Sequence, residues 1–212
     1  MKKCLLIFVI LALVATGAFA QFSLSVGGGV LFDGSFNNGI KIDASGFKGS
    51  AGWHNFSFGG FAFFDATYVE ADISFAFGIL KGYDRDDLSG MKLGDPTAIQ
   101  LGFTVLGKYP FELGSITLFP LLGINYNVVL NGWLDGESFN DSGQSAAEWL
   151  SQFGFLGGVG LDYDITDFLY LRGEALFQIR LPMKEFREAA SGPLKATVGL
   201  GPVIKVAVGY KF

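Results

Sequence analysis

Cysteine is almost missing from this chain: of 212 residues only Cys4 is one, and it precedes the first apolar run. A body without thiols builds no disulfide framework, so backbone pairing must hold the fold together. Histidine is equally scarce, with His54 alone, and no acidic run has the spacing of a calcium loop. No metal set, and no cofactor, is expected from such a composition. The Gly27-Gly28-Gly29 run opens no helix and therefore makes no phosphate cradle. Apolar runs are short as well: the longest, Leu5 to Val14, falls below the roughly 20 residues of a helical membrane span. Basic residues number 15 against 20 acidic ones, which argues against nucleic acid as a partner, because phosphate contacts need clustered Lys and Arg.

What is present begins with an export pattern. Met1-Lys2-Lys3, the apolar stretch and Ala18-Phe19-Ala20 before Gln21 have the layout of a cleaved secretory signal. The expected organisation is a signal peptide at 1–20 and a single domain at 21–212. Loss of Lys2 and Lys3 leaves 13 basic residues against 20 acidic, a formal charge of −7. Glycine (31) and phenylalanine (23) are abundant. Phenylalanine suits a lipid-facing surface, and glycine lets strands approach closely.

Eight segments alternate large apolar with small or polar side chains: 22–32, 55–65, 68–80, 98–109, 115–130, 151–164, 168–181 and 196–212. This pattern predicts an all-β fold, an eight-stranded antiparallel up-and-down transmembrane barrel. Long connections at 33–54, 81–97, 131–150 and 182–195 alternate with short turns near Asp65-Ala66-Thr67, Pro110 to Gly114 and Ile165-Thr166-Asp167. In bacterial barrels the long loops lie outside and the short turns face the periplasm, which puts the expected location in an outer membrane.

Parity sets the faces. Val69, Ala71, Ile73, Phe75, Phe77 and Ile79 share one side of the third segment, with Glu70 and Asp72 on the other. The seventh and eighth behave alike. A charge at the bilayer midplane costs about 2–4 kcal/mol, so the phases should be firm. Phe61-Ala62-Phe63-Phe64 breaks the alternation, and either a bulge or lumen-filling rings would explain it. Pro120 and Pro202 fall inside segments, where each requires a bulge or a locally unpaired position. Two aromatic girdles are expected, Trp53, Phe56, Trp133, Trp149 and Phe153 outside, and Tyr68, Tyr109, Tyr163, Tyr170, Tyr210 and Phe212 at the turn end.

Projected inward, the alternation gives two zones. A polar network holds Glu70, Asp72, Lys108, Asp162, Asp164, Arg172, Glu174 and Lys205, joined by Lys211, with five acids against four bases. Near-balance predicts a paired, closed arrangement. Toward the middle and outer half lies an apolar layer of Leu31, Leu106, Phe119, Leu121, Leu156 and Leu176, with Val129. It serves either as packing or as a pocket for small apolar solutes.

The strand Leu118 to Tyr126, the hairpin Gly158 to Asp167 and the terminal Tyr210-Lys211-Phe212 resemble the small outer-membrane barrels of the OmpW, OmpX and OmpA type, nearest to OmpW. That resemblance implies insertion by the outer-membrane assembly machinery, with Tyr210 and Phe212 as the signal, although Ala207 stands where a glycine is common. It also implies passage of small hydrophobic compounds through an apolar lumen.

The functional expectation is an integral outer-membrane barrel in contact with membrane lipid, serving as a narrow conduit for small or apolar solutes. Its rivals are a closed structural or surface-binding barrel whose loops meet an extracellular partner, and a soluble secreted lipocalin-like binder, which would be inside out by these phases. His54 and Ser57 are close in sequence at the rim, but nucleophilic catalysis needs hydrogen-bond reach that spacing does not supply. No enzyme activity is expected.

Overall fold

In the computed structural model the described residues are 23–44, 47–86, 94–138, 150–182 and 194–212, with 145, 147, 188 and 192. The expected signal peptide and Trp149 lie outside them. The strands are β1 (Leu24–Ala44), β2 (Phe47–Ala66), β3 (Val69–Asp86), β4 (Thr97–Lys108), β5 (Phe111–Leu113), β6 (Ile116–Leu134), β7 (Glu137–Ser138), β8 (Gln152–Asp164), β9 (Leu169–Arg180), β10 (Leu194–Thr197) and β11 (Gly199–Lys211).

Alternation turns these segments into a closed ring. Neighbours pair antiparallel in the order β1, β11, β9, β8, β6, β4, β3, β2, and β2 returns to β1, which closes an eight-stranded up-and-down barrel. Ring closure satisfies backbone groups that hydrocarbon cannot hydrogen-bond. The outer face is apolar: Leu122 is 74% exposed and Phe58 63%, whereas Arg172 and Glu70 inside are 1% and 0%. A soluble barrel has the opposite polarity, so the lipocalin-like alternative is set aside.

The ring is uneven. β1 and β2 run 21 and 20 residues and β3 runs 18, while β4 and β9 have 12 each. The loop expected at 33–54 is therefore a correction: β1 and β2 stay paired from Asn38↔Trp53 to Ala44↔Phe47. Its Ser, Asn and Gly content marks departure from the apolar belt, and the ladder continues regardless. β10 prolongs β11 on β1 with Lys41↔Lys195 and Gly39↔Thr197, so strand also occupies part of the loop expected at 182–195.

The prolines sit at gaps in pairing, without bulges. Pro120 lies where β4 has ended at Lys108 and β5 has yet to begin at Phe111, so Pro110 and Pro120 share one break. Pro202 faces Gly34–Ser35, where the β1–β11 pairing lapses between Asp33↔Val203 and Phe36↔Leu200. Register shifts fall elsewhere, between Ser35 and Asn38 and between Ile99 and Gln100. At the first, Asn37 takes a positive φ of 63° and donates its amide to His54 Nδ1 at 3.1 Å.

Phe61 and Phe63 point into the lumen at 6% and 4% exposure with no bulge beside them, which resolves the broken alternation of β2. Glycines opposite the interior rings make room for them. A Cβ on Gly160 would lie 2.1 Å from the Phe119 ring, and one on Gly209 2.1 Å from Tyr170. Tight turns close the hairpins, among them Asp135-Gly136, with φ of 53° and 88°, the signature of a two-residue primed turn.

Beyond β3, Asp95 accepts from Lys81 Nζ at 2.6 Å and from the Gly82 amide at 3.0 Å, anchoring the chain that enters β4. The Lys81 hydrogen bond, then that amide, hold the Asp95 carboxyl below the usual carboxylate range. The contact is thus complete above the ordinary value near 3.9 and is lost as pH falls through the lower folded one. Carboxyl chemical shifts followed through an acid titration should show Asp95 moving back toward its ordinary value in Lys81→Ala. A second expectation concerns the lumen: Gly160→Val overpacks Phe119 and lowers stability by about 1–3 kcal/mol, read as a lower unfolding midpoint in detergent.

Candidate functional site

Among the described residues the buried charge gathers in the lumen. Every second residue of each ring strand points inward, so acids and bases distant in sequence meet across the barrel. At the turn end a cup of about 740 Å³ is lined by Ser25, Asp65, Lys108, Asp162, Tyr170 and Arg172, among others. Its rim carries the Lys211–Asp164 pair at 2.6 Å, and its wall holds Tyr170 and Ser25 with their hydroxyl oxygens 2.8 Å apart.

Arg172 closes the floor of the cup. Its guanidinium donates to Asp162 at 2.7 and 2.6 Å, to Glu70 at 2.5 Å and to Asp65. These acceptors stand on β8, β3 and β2, so one β9 side chain spans the lumen. Phe63, Phe119 and Tyr170 surround it, with ring centroids 4.7, 5.2 and 5.2 Å from its central carbon, a geometry in which ring faces favour a desolvated cation. Lys108 also binds Asp65.

Lys205 forms the next contact upward. It reaches from β11 to Asp72 at 2.5 Å on β3, with Glu174 at 3.3 Å and Glu70 at 3.8 Å. Glu174 meets it as a charge without hydrogen-bond geometry, since neither Glu174 oxygen has a hydrogen-bond partner. The expected near-balance of charge is corrected: Asp65 adds a sixth acid to the zone, and Arg172 serves three carboxylates at once.

Leu106, Phe119, Leu121, Leu156 and Leu176 pack with Val203 as one apolar tier, and Leu31 joins Phe61, Phe63, Tyr170 and Ala207 in another. The tier was expected to extend through the outer half; instead polar side chains return above it. Arg180 binds Asp33 and donates to Gln178 Oε1 at 3.1 Å, while Gln178 donates to Asp33 and to the Gly34 carbonyl at 2.8 Å. Asn55, Gln100, Asn127 and Gln152 line the small space beside Arg180, about 10 Å³ in volume, near the size of a single water site. Above them Leu80, Ala98 and Val129 close a last apolar cluster against Trp53 and Leu150.

All eight residues expected in the polar network and all six expected in the apolar layer thus lie on the inner side of their strands, with Asp164 only half-buried. Asp65 and Asp33 were missed, one read as a turn and the other as a loop. Parity could have found both, because Asp65 continues the phase of Phe61 and Phe63, and Asp33 that of Leu31. Tyr170 is a correction too: it is 1% exposed inside the lumen and is no girdle residue. Tyr210 and Phe212 point outward with ring centroids 5.4 Å apart, and Tyr68, Tyr109 and Phe111 cluster at the same end. His54 stacks on Tyr83 at 4.7 Å on the outer side, whereas Ser57 is buried in the lumen, so the two lie on opposite faces of β2.

Arg172→Ala would remove the cation shared by Asp162, Glu70 and Asp65, leaving Lys108 on Asp65 and the more distant Lys205 beside Glu70. Breaking such a buried set costs about 3–5 kcal/mol, whereas Lys211→Ala, at the partly exposed rim, is worth about 0–1 kcal/mol. Urea unfolding in detergent should rank the two variants in that order; equal midpoints would contradict the cross-lumen network.

No family model matches the sequence, and no curated protein matches it. Solved structures do. The outer membrane protein OprG from Pseudomonas aeruginosa is 20% identical with a TM-score of 0.51, covering 90% of this chain and 95% of that one. Neisserial surface protein A is 13% identical at 0.48, covering 91% and 99%, and outer membrane protein W of E. coli is 14% identical at 0.41, covering 87% and 98%. With the closed ring and apolar exterior described above, the match to OprG shows that this chain has the fold of the small outer-membrane β-barrels.

Proposed function

We propose that this chain is an integral outer-membrane barrel whose lumen is shut at rest, acting through the part of the sheet that rises above the membrane. One observation carries the reading: Arg172, Lys205 and Arg180 each bridge strands from inside the ring at successive levels, with an apolar tier between. Water and ions passing through would have to part these pairs, and the energy needed to separate buried charges opposes it. The terminal aromatics Tyr210 and Phe212 would serve recognition by the assembly machinery, with membrane lipid against the outer belt.

A second reading is favoured by the cup of about 740 Å³ at the turn end. It would be one mouth of a conduit for small or apolar solutes, opened by rearrangement of the Arg172 contacts and continued by the apolar tier. Planar-bilayer recording separates the two. A shut barrel gives no steady conductance as the native chain, while Arg172→Ala combined with Arg180→Ala gives frequent openings. Steady conductance or solute-dependent uptake by the native chain would establish the conduit and discard the closed reading.

A further inference from the structure

Above the aromatic rim the sheet continues as β10, β1 and β2. Register places Lys195 directly opposite Lys41, and Lys41 directly opposite Ser50. Ile40 and Ile42 share the inner face with Ala51, which is 3% exposed, so Lys41 and Lys195 belong to the outer one. Both lysines are exposed, and among the described residues neither meets an acid. The nearby Lys48, in contrast, has Asp43 at 3.6 Å.

Like charges directly opposite weaken a sheet. Two ammonium groups on neighbouring strands, with a hydroxyl next in the row, form a complement to a multiply charged anion. The height is informative. Phe36, His54 and Tyr83 group at the top of the apolar belt, and Ser50 lies four residues farther along β2. At ~3.3 Å per residue and a tilt of ~40°, that is about 10 Å above the rim, a few ångströms beyond a headgroup layer about 5–7 Å deep and within reach of a lysine side chain extended down along the sheet. The whole chain is acidic, with a formal charge of −5, so a free lysine pair at this level is a local exception.

We propose that Lys41 and Lys195 form a binding pair for the phosphate of a phosphorylated lipid headgroup in the outer leaflet, an inference that rests on the outer-membrane reading above. The headgroup lies against the outer face of the β10–β1–β2 extension, and its phosphate oxygens accept from both ammonium groups. Such contacts are strong near a membrane and fall with ionic strength.

The test uses the purified full barrel in non-ionic detergent, its folded state verified by the unheated gel shift, titrated with diphosphoryl lipid A, with the same lipid stripped of phosphate, and with inorganic phosphate. Lys41→Gln combined with Lys195→Gln should weaken diphosphoryl lipid A binding by about tenfold or more and flatten its salt dependence. The double arginine variant should retain both. Unchanged affinity in the glutamine variant, equal binding of the phosphate-free lipid, or inorganic phosphate binding as tightly as the lipid would each overturn the assignment. Recovery of the chain outside the outer-membrane fraction of expressing cells would instead remove the reading on which it rests.

Discussion

In hydrocarbon a backbone amide has no water to turn to, and everything in this molecule follows from the need to pair each one. The β1–β11 ladder meets that need, because it joins the first strand to the last and closes the sheet into a ring through the apolar belt. Once the ring is closed, each side chain has only two destinations. The outward set becomes aliphatic and aromatic; the inward set takes the charges.

An eight-stranded interior is just wide enough for side chains to fill, and this chain fills it by pairing bulk with absence of bulk. Phe119 opposes Gly160 and Tyr170 opposes Gly209 across adjacent strands. The rings can then lie flat over the charged tier, where Arg172 meets three of them. The abundance of glycine and that of phenylalanine are therefore one fact about lumen packing as well as two facts about strands and lipid. Pro110 and Pro120 show a similar economy, since a single interruption accommodates two residues that lack an amide hydrogen.

Much of this was legible because a period of two is hard to disguise where one face is lipid. Segments around Phe75, Phe177 and Val206 announced their phase, and with it the inward course of Glu70, Arg172 and Lys205. What escaped lay where the lipid constraint ends. Beyond Phe36 a strand need no longer alternate greasy and polar, so β1 and β2 continue under a composition that reads as loop. Asp65 was hidden by its place beside a turn, and Tyr170 by the habit of assigning every terminal tyrosine to a membrane interface. The upper polar tier of Asp33, Gln178 and Arg180 needed contacts 145 and 147 residues apart in sequence, which no local pattern reveals.

The unequal strand lengths have one further effect. β3 outruns β4 after Ile79, so among the described residues the segment from Leu80 onward has no paired strand on that side. Exposed margins of this kind invite a second molecule to add itself and propagate. Here the chain blocks the beginning of that margin itself: the Leu80 amide donates to the Pro96 carbonyl at 2.8 Å, and the Asp95 carboxylate occupies the next donor, Gly82. Each barrel thus raises a tall, asymmetric wall whose first unpaired donors are already taken by its own chain, which narrows the margin open to edge-to-edge addition.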